Sequence, residues 1–249
     1  MYRCHPLRRL WRIALLAGVA ALAAPTAANA ATVYAAASLR DAFPRIDRSQ
    51  TYSFLGSNQL RTQIERGAPA DVFASASPNE AQALFRAGLC RRPVTFATNV
   101  LVLITPRGNP SRVRSVYSLR TGSRRLSVGT AGVPIGAYTR QILRRLRLTS
   151  ILSTNRVSLD PNVSAITSKV ALGSADAGFV YTTDARPVAA RTDVVALPRW
   201  AQPPVRYQIC AVRRAGANTA AANAFIAKVR ATNGRRVLRS YGFGLPPRP

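Results

Sequence analysis

From residue 31 onward, short apolar runs alternate with segments in which apolar side chains recur every three or four positions. The runs at 32–36, 51–54, 71–75, 99–104, 126–129, 177–181 and 205–212 predict strands. Between them, 58–66 predicts a helix stopped by Gly67, and 138–147 predicts one with Tyr138, Ile142 and Leu146 on a single face. A third helix, 163–172, aligns Val163, Ile166 and Val170 and ends at Gly173, and a last one is predicted over 219–239, ahead of "YGFG". Strands alternating with helices imply an α/β protein whose sheets are covered on both faces. Ligands of such proteins sit beyond the carboxyl ends of the strands, where helices begin.

The first thirty residues follow a different logic. Arg3, Arg8, Arg9 and Arg12 precede an apolar run from Ile13 to Ala24, and Ala28-Asn29-Ala30 supplies small residues for cleavage. This is the pattern of a secretory signal peptide over 1–30, removed near Ala30. A membrane span needs about 20 apolar residues, and no later segment is long or apolar enough. The mature protein is expected outside the cytoplasm, in the periplasm or its equivalent.

Composition narrows the chemistry. The chain has 36 Lys and Arg against 9 Asp and Glu, a formal net charge of +27. Lys169 and Lys228 are the only lysines, and the arginines scatter as pairs such as Arg91-Arg92, Arg124-Arg125 and Arg213-Arg214. There is no aromatic interleaving and no basic tail, so the charge reads as solvated faces and not as a nucleic-acid surface. His5 is the only histidine and leaves with the signal peptide, which excludes a Ser-His-Asp triad and a histidine metal site. The carboxylates, from Asp41 to Asp193, are too dispersed to suggest an acid/base pair, and no catalysis is expected. Cys90 and Cys210 are read as two separate buried thiols, with a disulfide as the alternative that an oxidising compartment allows.

Two serines stand where a strand turns into a helix: Ser38 after the run at 32–36, and Ser57 between "TYSF" and "NQLRTQIERG". Each by itself reads as a helix cap, and "SLRD" fits a capping box with Asp41. Two of them suggest more, because such turns aim a hydroxyl and unpaired backbone N–H groups at one point that the helix dipole makes hospitable to an anion.

At this point the sequence resembles the molybdate-binding proteins of bacterial ABC transporters. The resemblance is carried, in order, by "VYAAASL" (33–39), "FLGSNQL" (54–60), "QIERGAPADVFASAS" (63–77), "NVLVLI" (99–104), "LSVGTAGVPIGAY" (126–138), "ALGSADAGFVYTTDA" (171–185) and "RSYGF" (239–243). It implies an α/β, two-lobe periplasmic binding protein fold of type II with the ligand cleft between the lobes. Residues 31–104 and 208–249 would form one lobe and 105–207 the other, joined by crossing segments at 99–110 and 205–212. It implies capture of molybdate, and of tungstate, for delivery to a membrane permease, by a monomer with no cofactor and no direct protein ligand to the metal. The implied ligand set is the hydroxyls of Ser38 and Ser57, the backbone N–H groups of Ile135 and Val163, and the phenol of Tyr181. Asp184 would hold a turn. The position of Ile135 usually carries a smaller residue in that family, the segment between Ser38 and Ser57 is short, and Pro44 interrupts its helix. The alternatives are a receptor for another oxyanion such as sulfate, or a basic surface-interaction protein on the same fold that has lost its ligand.

Overall fold

The computed structural model describes residues 1–2 and 30–246; residues 3–29 of the expected signal peptide lie outside them. Among the described residues no helix is long and apolar enough to cross a membrane.

Ten strands form two five-stranded sheets of matching design. The first contains β1 (Thr32–Ala36), β2 (Thr51–Leu55), β3 (Val72–Ser75), β4 (Val94–Asn99) and, from the far end of the chain, β10 (Val205–Ala211), in the order β2-β1-β3-β10-β4. The second contains β5 (Leu101–Pro106), β6 (Arg125–Gly129), β7 (Arg156–Asp160), β8 (Ala177–Tyr181) and β9 (Thr192–Ala196), in the order β7-β6-β8-β5-β9. In each sheet three parallel strands are followed by one antiparallel strand that pairs with an edge strand. That antiparallel strand, β10 in one sheet and β5 in the other, is the one that arrives from the opposite sheet. The chain therefore crosses twice, at Val100 and again between Ala196 and Val205.

Sheet membership changes at Val100 and not after Ile104, because the apolar run read as one strand over 99–104 is divided. Val100 is half exposed and its N–H is taken by the Asn99 side chain at 2.9 Å, which breaks the ladder between β4 and β5. Likewise β10 belongs to the first sheet from Val205 onward.

The helices are α1 (Phe43–Ile46), α2 (Ser57–Glu65), α3 (Pro78–Arg86), α4 (Pro134–Arg145), α5 (Ile151–Thr154), α6 (Val163–Ala171), α7 (Thr182–Ala185), α8 (Thr219–Arg230) and α9 (Thr232–Ser240). The apolar faces predicted for 138–147 and 163–172 are core faces: Ile142, Ile166 and Val170 are fully buried. Pro44 sits in the first turn of α1, where a missing N–H costs nothing, and the helix lasts only four residues. The single helix expected over 219–239 is instead two. Ala231 takes an extended conformation (φ −65°, ψ 163°), ending α8 and turning the chain into α9.

Cys90 and Cys210 form a disulfide, with Cα atoms 6.1 Å apart, which corrects the expectation of two separate thiols. The reason is topological. The returning strand β10 inserts between β3 and β4, and Cys90, just ahead of β4, forms an antiparallel bridge with Val212 at its end. Residues 120 positions apart are thereby brought side by side.

Candidate functional site

A small cavity of about 20 Å³ lies between the sheets and is lined by residues of both lobes. Ser38, Ser57, Ile135, Val163 and Tyr181 all line it, together with Ala36, Ala37, Leu55, Gly56, Ala76, Val133, Pro134 and Asn162. None of these side chains is charged. The lobes meet at its rim: a Cβ on Gly56 would stand 2.6 Å from the carbonyl oxygen of Pro161, so glycine is required for this approach.

Neither serine is a cap. Ser38 is the middle residue of a single 3₁₀ turn, Ala37–Leu39, that makes no side-chain capping bond, so the expected box with Asp41 is absent. Its hydroxyl instead lies 2.8 Å from the Tyr207 hydroxyl. Ser57 is the first residue of α2, whose cap position is Gly56, and its Oγ accepts the Ala76 N–H at 3.1 Å. Chain entry into both helical turns is thus handled without these hydroxyls, which stay at the cavity wall.

Lobe two contributes two helix starts. Pro134 opens α4 and has no N–H, so the helix's first backbone donor is Ile135. Val163 opens α6 behind Asn162, whose Oδ1 caps Ala165 N–H at 3.0 Å and leaves the Val163 N–H without a partner among the described residues. Together with α2 from lobe one, three helix N-termini meet the same cavity and bring partial positive charge to it. The loop before α4 is tightly folded: a Cβ on Gly136 would fall 1.9 Å from the Thr130 carbonyl oxygen, so only glycine fits. The branched side chain of Ile135 is accommodated against Gly129, where a Cβ would stand 2.8 Å from Ile135 Cγ2.

Tyr181 ends β8 with 1% of its surface exposed, and among the described residues its buried Oη has no hydrogen-bond partner. The ordinary reading of a lone core tyrosine, an aromatic ring with a satisfied hydroxyl, therefore does not hold. Burial, reinforced by the neighbouring Tyr207, Tyr138 and Asp184, raises its pKa well above that of a free phenol, so it is a neutral donor.

Charge is kept off this wall. Asp184 in α7 is outside the lining and accepts the Thr183 hydroxyl at 3.3 Å, in keeping with a turn-holding role. Burial pushes its carboxyl up to about 8, with the Asp41 charge adding to the shift and the Thr183 bond opposing it. Between the ordinary value of 3.8 and about 8, the unfolded chain has released this proton while the folded chain still holds it, so a rise in pH favours unfolding. No histidine occurs after residue 30 to mask the effect. Asp47 titrates below the window: although burial opposes its ionisation, bonds from Lys228, Ser49 and Gln50 hold it well below the carboxylate range. Thermal melts are expected to show stability falling as pH rises through this interval, with the slope flattened in Asp184→Asn; equal slopes in the two proteins would refute the assignment.

A two-lobed α/β body whose helix starts converge on an uncharged cleft is the form of a solute receptor. The chain belongs to the bacterial extracellular solute-binding protein family, whose sequence profile matches residues 31–244. It is 37% identical over 235 residues to the molybdate-binding protein ModA of Mycobacterium tuberculosis, spanning 90% of this chain and 88% of that one. Against ModA of Haemophilus influenzae it is 31% identical over 256 residues, spanning 95% and 99%. The periplasmic molybdate-binding protein of Azotobacter vinelandii superposes with a TM-score of 0.76 over 87% of this chain and all of that one; at 23% identity this speaks for the fold alone.

Sequence reasoning missed Tyr207 and Asn99, which back the cavity wall at Ser38. Both lie in apolar strand runs that read as crossing segments, and nothing local marks their polar atoms as meeting.

Proposed function

We propose that this protein is an extracytoplasmic receptor that captures molybdate, and tungstate, as the bare tetrahedral dianion and delivers it to the permease of an ABC transporter. The observation that carries the reading is the buried, unpartnered Tyr181 hydroxyl on the wall of a cavity that offers two serine hydroxyls and two helix-start amides but no carboxylate. A donor kept dry without a partner costs about 1–3 kcal/mol, which a ligand that accepts from it returns. The identity to ModA proteins over nearly the whole chain supports molybdate as the anion. In this reading Ser38, Ser57, Ile135, Val163 and Tyr181 are the ligand shell, the metal is touched only through its oxygens, and no cofactor or catalysis is involved. The protein acts as a monomer after cleavage near Ala30, and the lobes divide close to the two strand crossings.

The test is a competition titration near neutral pH. Hydrogen phosphate carries a proton, and burying it against a wall whose amides and hydroxyls face the anion as donors costs about 1–3 kcal/mol, or roughly 5- to 150-fold in affinity. Molybdate and tungstate are expected to bind, and phosphate at equal concentration to fail to displace them. Sulfate is excluded only by size, so a preference for sulfate would show a cavity smaller than molybdate needs. Binding of none of these anions would leave the basic surface as the functional feature and end the receptor reading.

A further inference from the structure

Tyr207 lies on β10, fully buried, with its ring packed edge-on against Phe96, Tyr181 and Phe243 at centroid distances of 6.1, 6.0 and 5.4 Å. Among the described residues its hydroxyl has two hydrogen-bond neighbours, Ser38 Oγ at 2.8 Å and Asn99 Nδ2 at 3.2 Å. The Asn99 amide is oriented by the chain itself. Its Oδ1 accepts the Val100 N–H at 2.9 Å, so Nδ2 faces both the phenol and the Thr183 hydroxyl, the latter at 2.9 Å.

Counting protons fixes the direction of the remaining bond. An amide nitrogen can only donate, so Asn99 gives Tyr207 a hydrogen bond and takes none. The phenol's own proton then has one acceptor in reach, Ser38 Oγ. Were Ser38 to donate to Tyr207 instead, a buried phenolic proton would be left unpaired. The relay therefore runs from Asn99 to Tyr207 to Ser38: one lone pair of the serine's oxygen is occupied from behind, and its proton is free to point into the cavity. Burial, with the Asp184 charge adding and the bonds to Ser38 and Asn99 opposing, keeps the phenol neutral and able to donate. Ser57 is set in the same way by a backbone donor, since its Oγ accepts the Ala76 N–H.

We propose that Tyr207 is a positioning residue for oxyanion binding: anchored by Asn99 at the strand crossing, its hydroxyl donates to one lone pair of Ser38 and so leaves the serine's proton free for the anion. This rests on the reading of the cavity as a molybdate site. Tyr207 touches no ligand in this account and acts through Ser38.

The experiment is a double-mutant cycle read by calorimetric titration with sodium molybdate. Tyr207→Phe keeps the ring contacts and removes the relay; a neutral hydrogen bond of about 0.5–1.5 kcal/mol corresponds to a loss of roughly 2- to 12-fold in molybdate affinity. In a Ser38→Ala background, Tyr207→Phe is expected to have no further effect. Should Tyr207→Phe fail to fold, Asn99→Asp offers the phenol proton an acceptor and reverses the relay, and its loss of affinity is expected to shrink in the Ser38→Ala background. Molybdate binding in the parent with unchanged affinity in Tyr207→Phe, or equal losses with and without Ser38, overturns the relay alone. Absence of molybdate binding in the parent overturns the receptor reading and the relay with it.

Discussion

Replacing Cys90 and Cys210 together by alanine is expected to lower the stability of the protein by about 2–5 kcal/mol. The bridge closes 120 residues, from just before β4 to β10, and so encloses the whole second sheet and both crossings. In the chain-entropy picture a loop of about this length restricts the unfolded chain by close to 5 kcal/mol at 25 °C, and engineered examples often deliver less. The bridge also has a local task. Cys90 and Cys210, with Val212, belong to a small buried cluster containing Leu60, Phe73 and Leu84, beneath α2 and α3. Losing the bond therefore loosens the packing under the helix that begins at Ser57. For a chain of this size the melting temperature is expected to fall by about 4–20 °C. Differential scanning calorimetry with and without reductant, and on the double variant, reads this directly. Coincident melts would mean that the bridge contributes nothing in solution.

The Tyr181→Phe variant is expected to move stability and binding in opposite directions. In the ligand-free protein the Tyr181 hydroxyl is buried and unpaired, so removing it relieves a cost of about 1–3 kcal/mol while the ring keeps its contact with Tyr207. The variant should melt at a temperature equal to or above that of the parent. With molybdate present the same hydroxyl donates to a charged oxygen, a bond of about 1.5–3 kcal/mol, so affinity should drop by roughly 10- to 150-fold. A structural tyrosine behaves in the reverse manner, losing stability when its hydroxyl is removed. A lower melting temperature with unchanged affinity would place Tyr181 in the core and not in the ligand shell.

How much of this was legible in the chain depends on the kind of signal. β8 coincides with the apolar run at 177–181 because a strand buried on both faces leaves continuous apolar sequence, and β1 coincides with the run at 32–36 although Thr32 and Tyr34 are only partly buried. The turn into α2 at Ser57 was legible from local turn chemistry, and the start of α6 from the apolar face that begins at Val163. The edge strands β7 and β9, RVSLD and TDVVA, were missed because exposed positions interrupt their apolar pattern. Helix α3 was missed despite a readable start, Ser77 as cap, Pro78 in the first turn and Glu80 beyond it. β4 was missed as well: the run read over 99–104 takes in only its last residue, Asn99, before β5, since no glycine or proline marks the division at Val100. The five candidate site residues came from local turn chemistry and family resemblance. The relay behind Ser38 and the disulfide did not, since each joins residues more than a hundred positions apart through the return of β10.

The central claim is that an oxyanion is held between the lobes by the donors at Ser38, Ser57, Ile135, Val163 and Tyr181. It is tested most directly by anomalous diffraction at the molybdenum edge from crystals grown with molybdate. One strong anomalous peak is expected in the cavity between the sheets, surrounded by oxygens within hydrogen-bond distance of the two serine hydroxyls, the two backbone nitrogens and the tyrosine hydroxyl. A peak elsewhere on the molecule, or an empty cavity in a protein that binds molybdate in solution, would contradict it.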